Sequence, residues 1–503
     1  MLTALAMSVP SCAVQSSVGS ATAPAPTASL AMTTSPTSCA QFTPLRPNIV
    51  LVLCDDLGAF DLGCTGSNAV RTPHIDRLRA RGVLFTSAYS SAPVCAPSRC
   101  ALLTGRSTAH SQIRDNHEEA NLADGTFGGQ RGLAAGTPTL PRVLRDAGYA
   151  TGCFGKWGLG GPSARGTTGH PLDQGFDSFV GILCQRNAHN HYAAYIDRDR
   201  EQVVLEGNSR ALSGAQFVPD LFVHAASEWM SARLAARAPF FLYYATPLPH
   251  LALQAPEGSV AAYAFDETPY SGGKGYLPCP RPRATFASMV SKIDEAVGEL
   301  VATVERHGAF DNTVFIFTSD NGATWELGGF DPVFFQSNRG LRGSKASLWE
   351  GGIRVPLIVA WCGHTPEAAT CAQPVVGYDL TPTVLDLAGV PRAALPCDGV
   401  SLASLVRGAS ERVAQSCAAL ADRPPMVWEF PGGGGQRAVR DGRWKFVQTD
   451  AREPDKSRDH LFDLDADAGE TTNLARVHPD IVARLRFACE RRTPSEDPAW
   501  NYP

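Results

Sequence analysis

The segment Pro47-Asn48-Ile49-Val50-Leu51-Val52-Leu53-Cys54 is apolar from Ile49 onward with no polar alternation, and it runs straight into Asp55 and Asp56. A strand of that kind is buried on both faces, which places it in a parallel sheet covered by helices on each side. The pattern returns. Thr313 to Ser319 runs into Asp320-Asn321-Gly322, Phe240 to Tyr244 runs toward His250, and Tyr149 to Phe154 delivers Lys156. Ligands of open α/β sheets sit beyond the carboxyl ends of the strands, so these four ends are expected to converge on one site.

Helical periodicity alternates with these runs. From Phe286 to His307, the residues Phe286, Met289, Val290, Ile293, Val297, Leu300, Val301 and Val304 repeat at i, i+3, i+4, i+7, and Gly308 supplies the stop. A second helix is predicted over Leu140 to Ala147, ending at Gly148. The alternation predicts a doubly wound α/β domain with a mixed, mostly parallel sheet over residues 46–423. After Pro424 the texture changes to short strands, with Asp441-Gly442 as a hairpin signal, so residues 424–503 are read as a small antiparallel subdomain closed by a helix near Ile481 to Cys489.

The first 45 residues contain no charged side chain and are dominated by Ser, Thr, Ala and Pro. They read either as a signal or lipoprotein-like export segment with a linker, Val9-Pro10-Ser11-Cys12 resembling a lipoprotein cleavage site, or as a disordered extension from a misassigned start. Export implies a periplasmic or surface location, with a possible lipid anchor and no transmembrane helix. The chain is 18% charged with a formal charge of -5, which excludes both a disordered polyanion and a basic nucleic-acid binder. Fourteen cysteines in 503 residues are too sparse for a disulfide framework.

Asp55, Asp56, Asp320 and Asn321 offer only oxygen donors, which suits a hard cation such as calcium or magnesium. Neighbouring strand residues point to opposite faces, so Asp55 and Asp56 share an ion only if the strand ends there. Taken alone, the pair also suits a helix cap or a solvated loop. In Cys95-Ala96-Pro97-Ser98-Arg99, Pro97 fits a first helical turn and Gly105 the end of the helix. Cys95 would stand at the helix N-terminus, where backbone N–H groups favour an anion, with Arg99 as a fixed planar cation. By itself that stretch equally suits a buried cysteine in an ordinary helix.

The stretch has company. Cys95 to Arg106 satisfies C-x-P-S-R-x-x-L-x-T-G-R at every fixed position, and the chain also carries Gly155-Lys156-Trp157, Ser319-Asp320-Asn321-Gly322, Arg342-Gly343-Ser344-Lys345, Glu350-Gly351-Gly352-Ile353-Arg354-Val355-Pro356 and Asp379-Leu380-Thr381-Pro382-Thr383. In these blocks, spread from about Pro47 to Ala475, the sequence resembles the type I sulfatases of the alkaline-phosphatase-like superfamily. The resemblance implies a sulfuric ester hydrolase acting on a sulfated small molecule or glycan. It implies that a maturation enzyme converts Cys95 to formylglycine, whose hydrated aldehyde is the nucleophile. It further implies calcium held by Asp55, Asp56, Asp320 and Asn321, with Arg99 stabilising the nucleophile, Lys156 and Lys345 binding sulfate, and His250 donating a proton to the leaving alcohol.

One position departs from the family pattern: Gly158 stands where G-K-W-H-L-G has its histidine. His189 and His191, in a polar stretch downstream, are expected to supply a replacement imidazole. His110, Arg114 and Asn116 are candidates for the pocket mouth or for loop packing, and Trp428-Glu429-Phe430 suits a sugar platform or core packing. Two alternatives stay open: a phosphonate monoester or phosphodiester hydrolase of the same superfamily, and a non-catalytic sulfoglycan-binding protein with Cys95 unconverted.

Overall fold

The computed structural model describes residues 46–118, 128–161, 169–408 and 413–502. The reading of the first 45 residues therefore lies outside the described residues. The described residues pack as one compact unit.

Its strands are β1 (Asn48–Cys54), β2 (Gly82–Phe85), β3 (Ala88–Tyr89), β4 (Ala150–Lys156), β5 (Ser178–Ile182), β6 (Tyr195–Arg198), β7 (Glu201–Val204) and β8 (Phe240–Ala245). They continue with β9 (Thr313–Ser319), β10 (Leu357–Trp361), β11 (Ala369–Cys371), β12 (Val375–Val376), β13 (Met426–Phe430), β14 (Gln436–Asp441), β15 (Trp444–Thr449) and β16 (Arg458–Asp463). Ten of them form one mixed sheet in the order β11-β2-β10-β9-β1-β8-β4-β5-β6-β7. Within it β9, β1, β8, β4 and β5 are mutually parallel. The four segments singled out in the sequence are thus the adjacent strands β9, β1, β8 and β4, and their carboxyl ends emerge along one edge.

Every residue of β1 is buried, as the unbroken apolar run requires. Val50 and Val52 face one core, while Ile49, Leu51 and Leu53 face the other. The first core is covered by the 25-residue helix Pro282–Arg306, through Phe286, Met289, Val290, Ile293, Val297, Leu300 and Val304, and by the helix Val218–Ala235. The second lies under the helices Cys95–Thr104, Leu140–Asp146 and Leu380–Ala388. Two helix-covered faces make the sheet doubly wound.

The C-terminal strands form a separate antiparallel sheet in the order β13-β14-β15-β16. The expected hairpin is there: Gly442 takes a φ of 54° in the two-residue loop between β14 and β15. The helix Pro479–Glu490 closes this sheet, burying Val482, Leu485 and Cys489 against Val439, Phe446 and Leu461. No helix among the described residues is long and apolar enough to cross a membrane.

Candidate active site

At the shared carboxyl edge, β1 stops at Cys54 and Asp56 adopts a left-handed backbone with φ 67°. That turn removes the strand geometry that would have sent the two aspartates to opposite faces. Asp55 Oδ1 lies 3.3 Å from Cys95 Sγ, and its Oδ2 accepts a hydrogen bond of 2.5 Å from Lys156 Nζ. Lys156 Nζ is also 3.4 Å from Cys95 Sγ. Asp56 accepts from Asn321 Nδ2 at 2.7 Å and pairs with Lys345 Nζ at 2.7 Å, and His250 Nε2 stands 3.5 Å from its carboxylate. Asp320 accepts the Asp56 backbone N–H and two bonds from the Arg99 guanidinium, at 3.0 and 2.8 Å. The structure therefore brings together Cys95, Arg99, Lys156, His250, Lys345, Asp55, Asp56, Asp320 and Asn321, drawn from positions up to 290 residues apart in sequence.

Three carboxylates face three fixed cations in this cluster. Burial pushes Asp55 up, but Lys156, His250 and Arg99 overcome it and hold it well below the usual carboxylate range. Burial and the neighbouring Asp55 push Asp320 up to about 6 despite Arg99. The Cys95 thiol is pushed up to about 12 by burial and by Asp55, against Lys156 and Lys345. A thiol held protonated is a poor nucleophile. Burial, then Lys345, drives His250 well below the ordinary histidine value. Its Nδ1 is hydrogen-bonded to the Leu251 carbonyl oxygen, so Nε2 is the atom left to exchange a proton.

The donor set fits a hard divalent cation. Asn321 Oδ1 is buried with no hydrogen-bond partner, directly beside Asp56 and Asp320. A buried amide oxygen without a donor is costly unless something else satisfies it. Oxygen atoms of Asp55 and Asp56 lie within 4.8 Å of each other and of Cys95 Sγ and His250. A divalent ion there would neutralise the crowded carboxylates and leave the site net positive, which suits an oxyanion.

Three points that the sequence left open are decided by the geometry. The helix Cys95–Thr104 begins at Cys95 and ends on the left-handed Gly105, as the sequence indicated. Its first amides, however, are not free for an anion: Ala96 N–H donates to Asn116 Oδ1 at 2.8 Å, Pro97 has no N–H, and Ser98 N–H donates to the Val94 carbonyl. Positive charge in this site is supplied by side chains. Second, Arg114 is not at a pocket mouth; it is buried and donates to Glu429 at 2.8 Å, to the Thr493 carbonyl and to the Ser111 carbonyl. His110 likewise has both ring nitrogens engaged, with Asp398 at 2.7 Å and the Arg491 carbonyl at 2.8 Å. Third, Trp428 is wholly buried with its Nε1–H on the Ser90 carbonyl, so it packs the core and offers no platform.

The two downstream histidines separate. The His189 ring stacks on His250, with centroids 4.0 Å apart and 17° between planes. His191 sits behind it, its Nε2 hydrogen-bonded to the His250 carbonyl oxygen at 2.9 Å. At Gly158 the backbone is left-handed (φ 75°), and a Cβ there would meet the Gln185 side chain at 2.9 Å. Gln185 thus fills the space beside the position where the family histidine is missing. No motif points to that partnership, nor to Tyr276, whose ring packs with Leu251 around Gly328 and whose hydroxyl feels Lys345 and Asp56. Tyr276 lies in a glycine-rich stretch with no motif.

Comparison with known proteins gives a consistent set of relatives. The family model described as Sulfatase matches residues 47–390. Human arylsulfatase A is 31% identical over 481 residues, covering 88% of this chain and 86% of that protein. N-acetylgalactosamine-6-sulfatase of Canis lupus familiaris is 30% identical over 415 residues, covering 80% and 72%. Among solved structures, Ps i-CgsB in complex with k-i-k-neocarrahexaose superposes with a TM-score of 0.70 at 26% identity, covering 89% of this chain and 92% of the other.

Proposed function

The chain belongs to the sulfatase family and is a sulfuric ester hydrolase, and from that premise we propose that it removes sulfate from a sulfated glycan, using formylglycine made from Cys95 and a calcium ion. The observation that carries this reading is the meeting of Cys95 with Asp55 and Lys156, at 3.3 and 3.4 Å, beside the unpartnered Asn321 oxygen. The glycan part draws on relatives: one is named for N-acetylgalactosamine 6-sulfate, and a structural neighbour holds a neocarrahexaose.

Asp55, Asp56, Asp320 and Asn321 would hold the ion, which supplies Lewis-acid polarisation when bound. Formylglycine supplies a geminal diol, which can expel sulfate by re-forming its carbonyl where a cysteine thiol would be left as a stable thiosulfate ester. Lys156 and Lys345 bind the sulfate oxygens and offset the charge that grows on them during transfer. Arg99 fixes Asp320, one of the residues that would hold the ion, and the main chain of Lys156. His250, oriented by its bond to the Leu251 carbonyl, presents Nε2 to the departing alcohol oxygen and serves as its proton donor once the incoming sulfate anion has drawn a proton onto the ring. His189, stacked on that ring, takes the part of the histidine absent at Gly158 and helps release sulfate. His191 holds His250 in place. The uncharged leading segment supports export of the enzyme, with a lipid anchor at Cys12 as one form of it, and a formylglycine-generating enzyme as its maturation partner.

The test is to produce the chain with such a maturation enzyme, read the Cys95 peptide by mass spectrometry, and compare rates on nitrophenyl sulfate and on a phosphodiester analogue. Conversion of Cys95 with a preference for the sulfate ester supports the reading. A persistent thiol in a strain with a working maturation system, or a preference for the phosphodiester, overturns it. If His189→Ala and His191→Ala both release sulfate at the wild-type rate, the replacement-histidine assignment is wrong.

A further inference from the structure

A groove of about 920 Å³ is lined by residues of the chain segments that carry Asn321 and Lys345. Its inner wall includes Thr324 and Ser344, the close neighbours of those two residues, and the segments are stitched together by the Lys345 N–H donating to the Ala323 carbonyl at 2.9 Å. Trp325 lines this groove together with Pro332 and Val333, with 45% of its surface exposed. Indole rings are usually buried, and an exposed one lining a groove next to reactive groups offers a flat apolar face to a ligand. The side chains of Glu326 and Gln336 line the same groove and have no hydrogen-bond partner among the described residues. An apolar ring face flanked by free hydrogen-bonding groups matches the two-sided chemistry of a pyranose, which presents C–H groups on its faces and hydroxyls at its rim. A purely apolar leaving group would leave Glu326 and Gln336 desolvated and unsatisfied.

We propose that this groove holds the carbohydrate part of the substrate, with a sugar ring stacked on Trp325 and its hydroxyls met by Glu326 and Gln336. The proposal rests on the glycan-sulfatase reading and adds the residue that selects the leaving group. The test compares steady-state sulfate release from a 6-sulfated N-acetylgalactosamine disaccharide and from ethyl sulfate, for wild type, Trp325→Ala and Trp325→Phe. Trp325→Ala is expected to raise KM for the disaccharide about fivefold or more, with a smaller change for ethyl sulfate and in kcat, and Trp325→Phe to recover most of the loss. Titration of the desulfated disaccharide should also shift wild-type tryptophan fluorescence and leave that of Trp325→Phe unmoved. If the wild type releases sulfate and Trp325→Ala changes neither the KM ratio nor product binding, the groove assignment fails alone. If the wild type hydrolyses no sulfate ester, the parent reading fails.

A separate observation carries a second inference. Cys371, the last residue of edge strand β11, and Cys417, in the helix Val413–Ala419, have sulfur atoms 2.7 Å apart. Two thiols packed without bonding do not approach so closely. We infer that they form a disulfide in an oxidising compartment. Each thiol loses its proton, one thiolate displaces a thiol from a low-molecular-weight disulfide such as oxidised glutathione, and the second thiolate then displaces the remaining one. The balance is one protein disulfide formed and two glutathione thiols released. Peptide mapping of the full chain after equilibration with oxidised glutathione tests it. A Cys371–Cys417 crosslinked peptide that disappears on reduction is the expected result. Alkylation of both thiols, a glutathione adduct, or either cysteine joined to a different one overturns it.

Discussion

Two regions of this molecule bury carboxylates among basic side chains, with opposite outcomes. At the carboxyl edge of the large sheet, Asp55, Asp56 and Asp320 are crowded together, Asp56 is held in a left-handed backbone, and the Asn321 oxygen is left without a donor. Where the C-terminal sheet meets the rest of the unit, Glu429 is equally buried but surrounded: Arg114 donates to one oxygen, and Arg437 and Arg492 approach the other. The arginines have further acceptors, Arg114 on the Thr493 carbonyl and Arg437 on the Tyr502 carbonyl. Buried charge is common to both regions. What distinguishes the site is bonding capacity that the protein itself leaves unmet.

If that distinction holds, perturbing the two regions should separate activity from stability. The largest effect is expected from Cys95→Ala, which should lower kcat/KM by on the order of 10⁴-fold or more while the urea midpoint moves little, as measured by sulfate release and equilibrium unfolding. Glu429→Ala should do the reverse. Leaving buried Arg114 and Arg437, and the half-buried Arg492, without their carboxylate should cost about 3–5 kcal/mol in urea unfolding, with kcat preserved in the fraction still folded. A loss of kcat to match Cys95→Ala would break the comparison.

Asp294 sharpens it, because this buried carboxylate has amide partners only. It accepts the N–H groups of Ile75 and His74 at 2.7 and 3.2 Å, and burial pushes it up to about 6. A folded value above the unfolded one, about 3.9, means its contribution is fully present below pH 4 and is lost as pH rises through about 6. Asp294→Asn removes the charge but keeps one acceptor oxygen where the two amides use two, so it should flatten the dependence between pH 4 and 6 in urea unfolding and forfeit one hydrogen bond, about 1 kcal/mol, below pH 4. The smallest effect belongs to His110→Gln. The hydrogen bond that His110 donates to Asp398 raises the histidine above its ordinary value, so the pair contributes below about pH 6.5 and fades as pH climbs past the folded value. With 31% of the imidazole exposed, the loss should be a few tenths of a kcal/mol in unfolding at pH 6.

Much of the site was legible in the sequence because its residues follow directly on strand ends. Asp55, Lys156, His250 and Asp320 each come within a few residues of an apolar run, and parallel packing of those runs makes convergence a matter of topology. Side-chain partnerships formed by packing were not legible. Nothing local tells that Asn116 will take the Ala96 amide, that Gln185 will fill the space at Gly158, or that His189 rather than His191 will lie on His250. Arg114 misled for the same reason: its proximity in sequence to the reactive helix suggested a pocket residue, while its buried partner, Glu429, lies 315 residues away.

Cys95 has none of its surface exposed and opens a helix in which all ten residues are buried. A catalyst that modified this side chain would need it uncovered, which the folded molecule does not offer. Such chemistry would have a deadline: it would belong to the interval between synthesis and collapse.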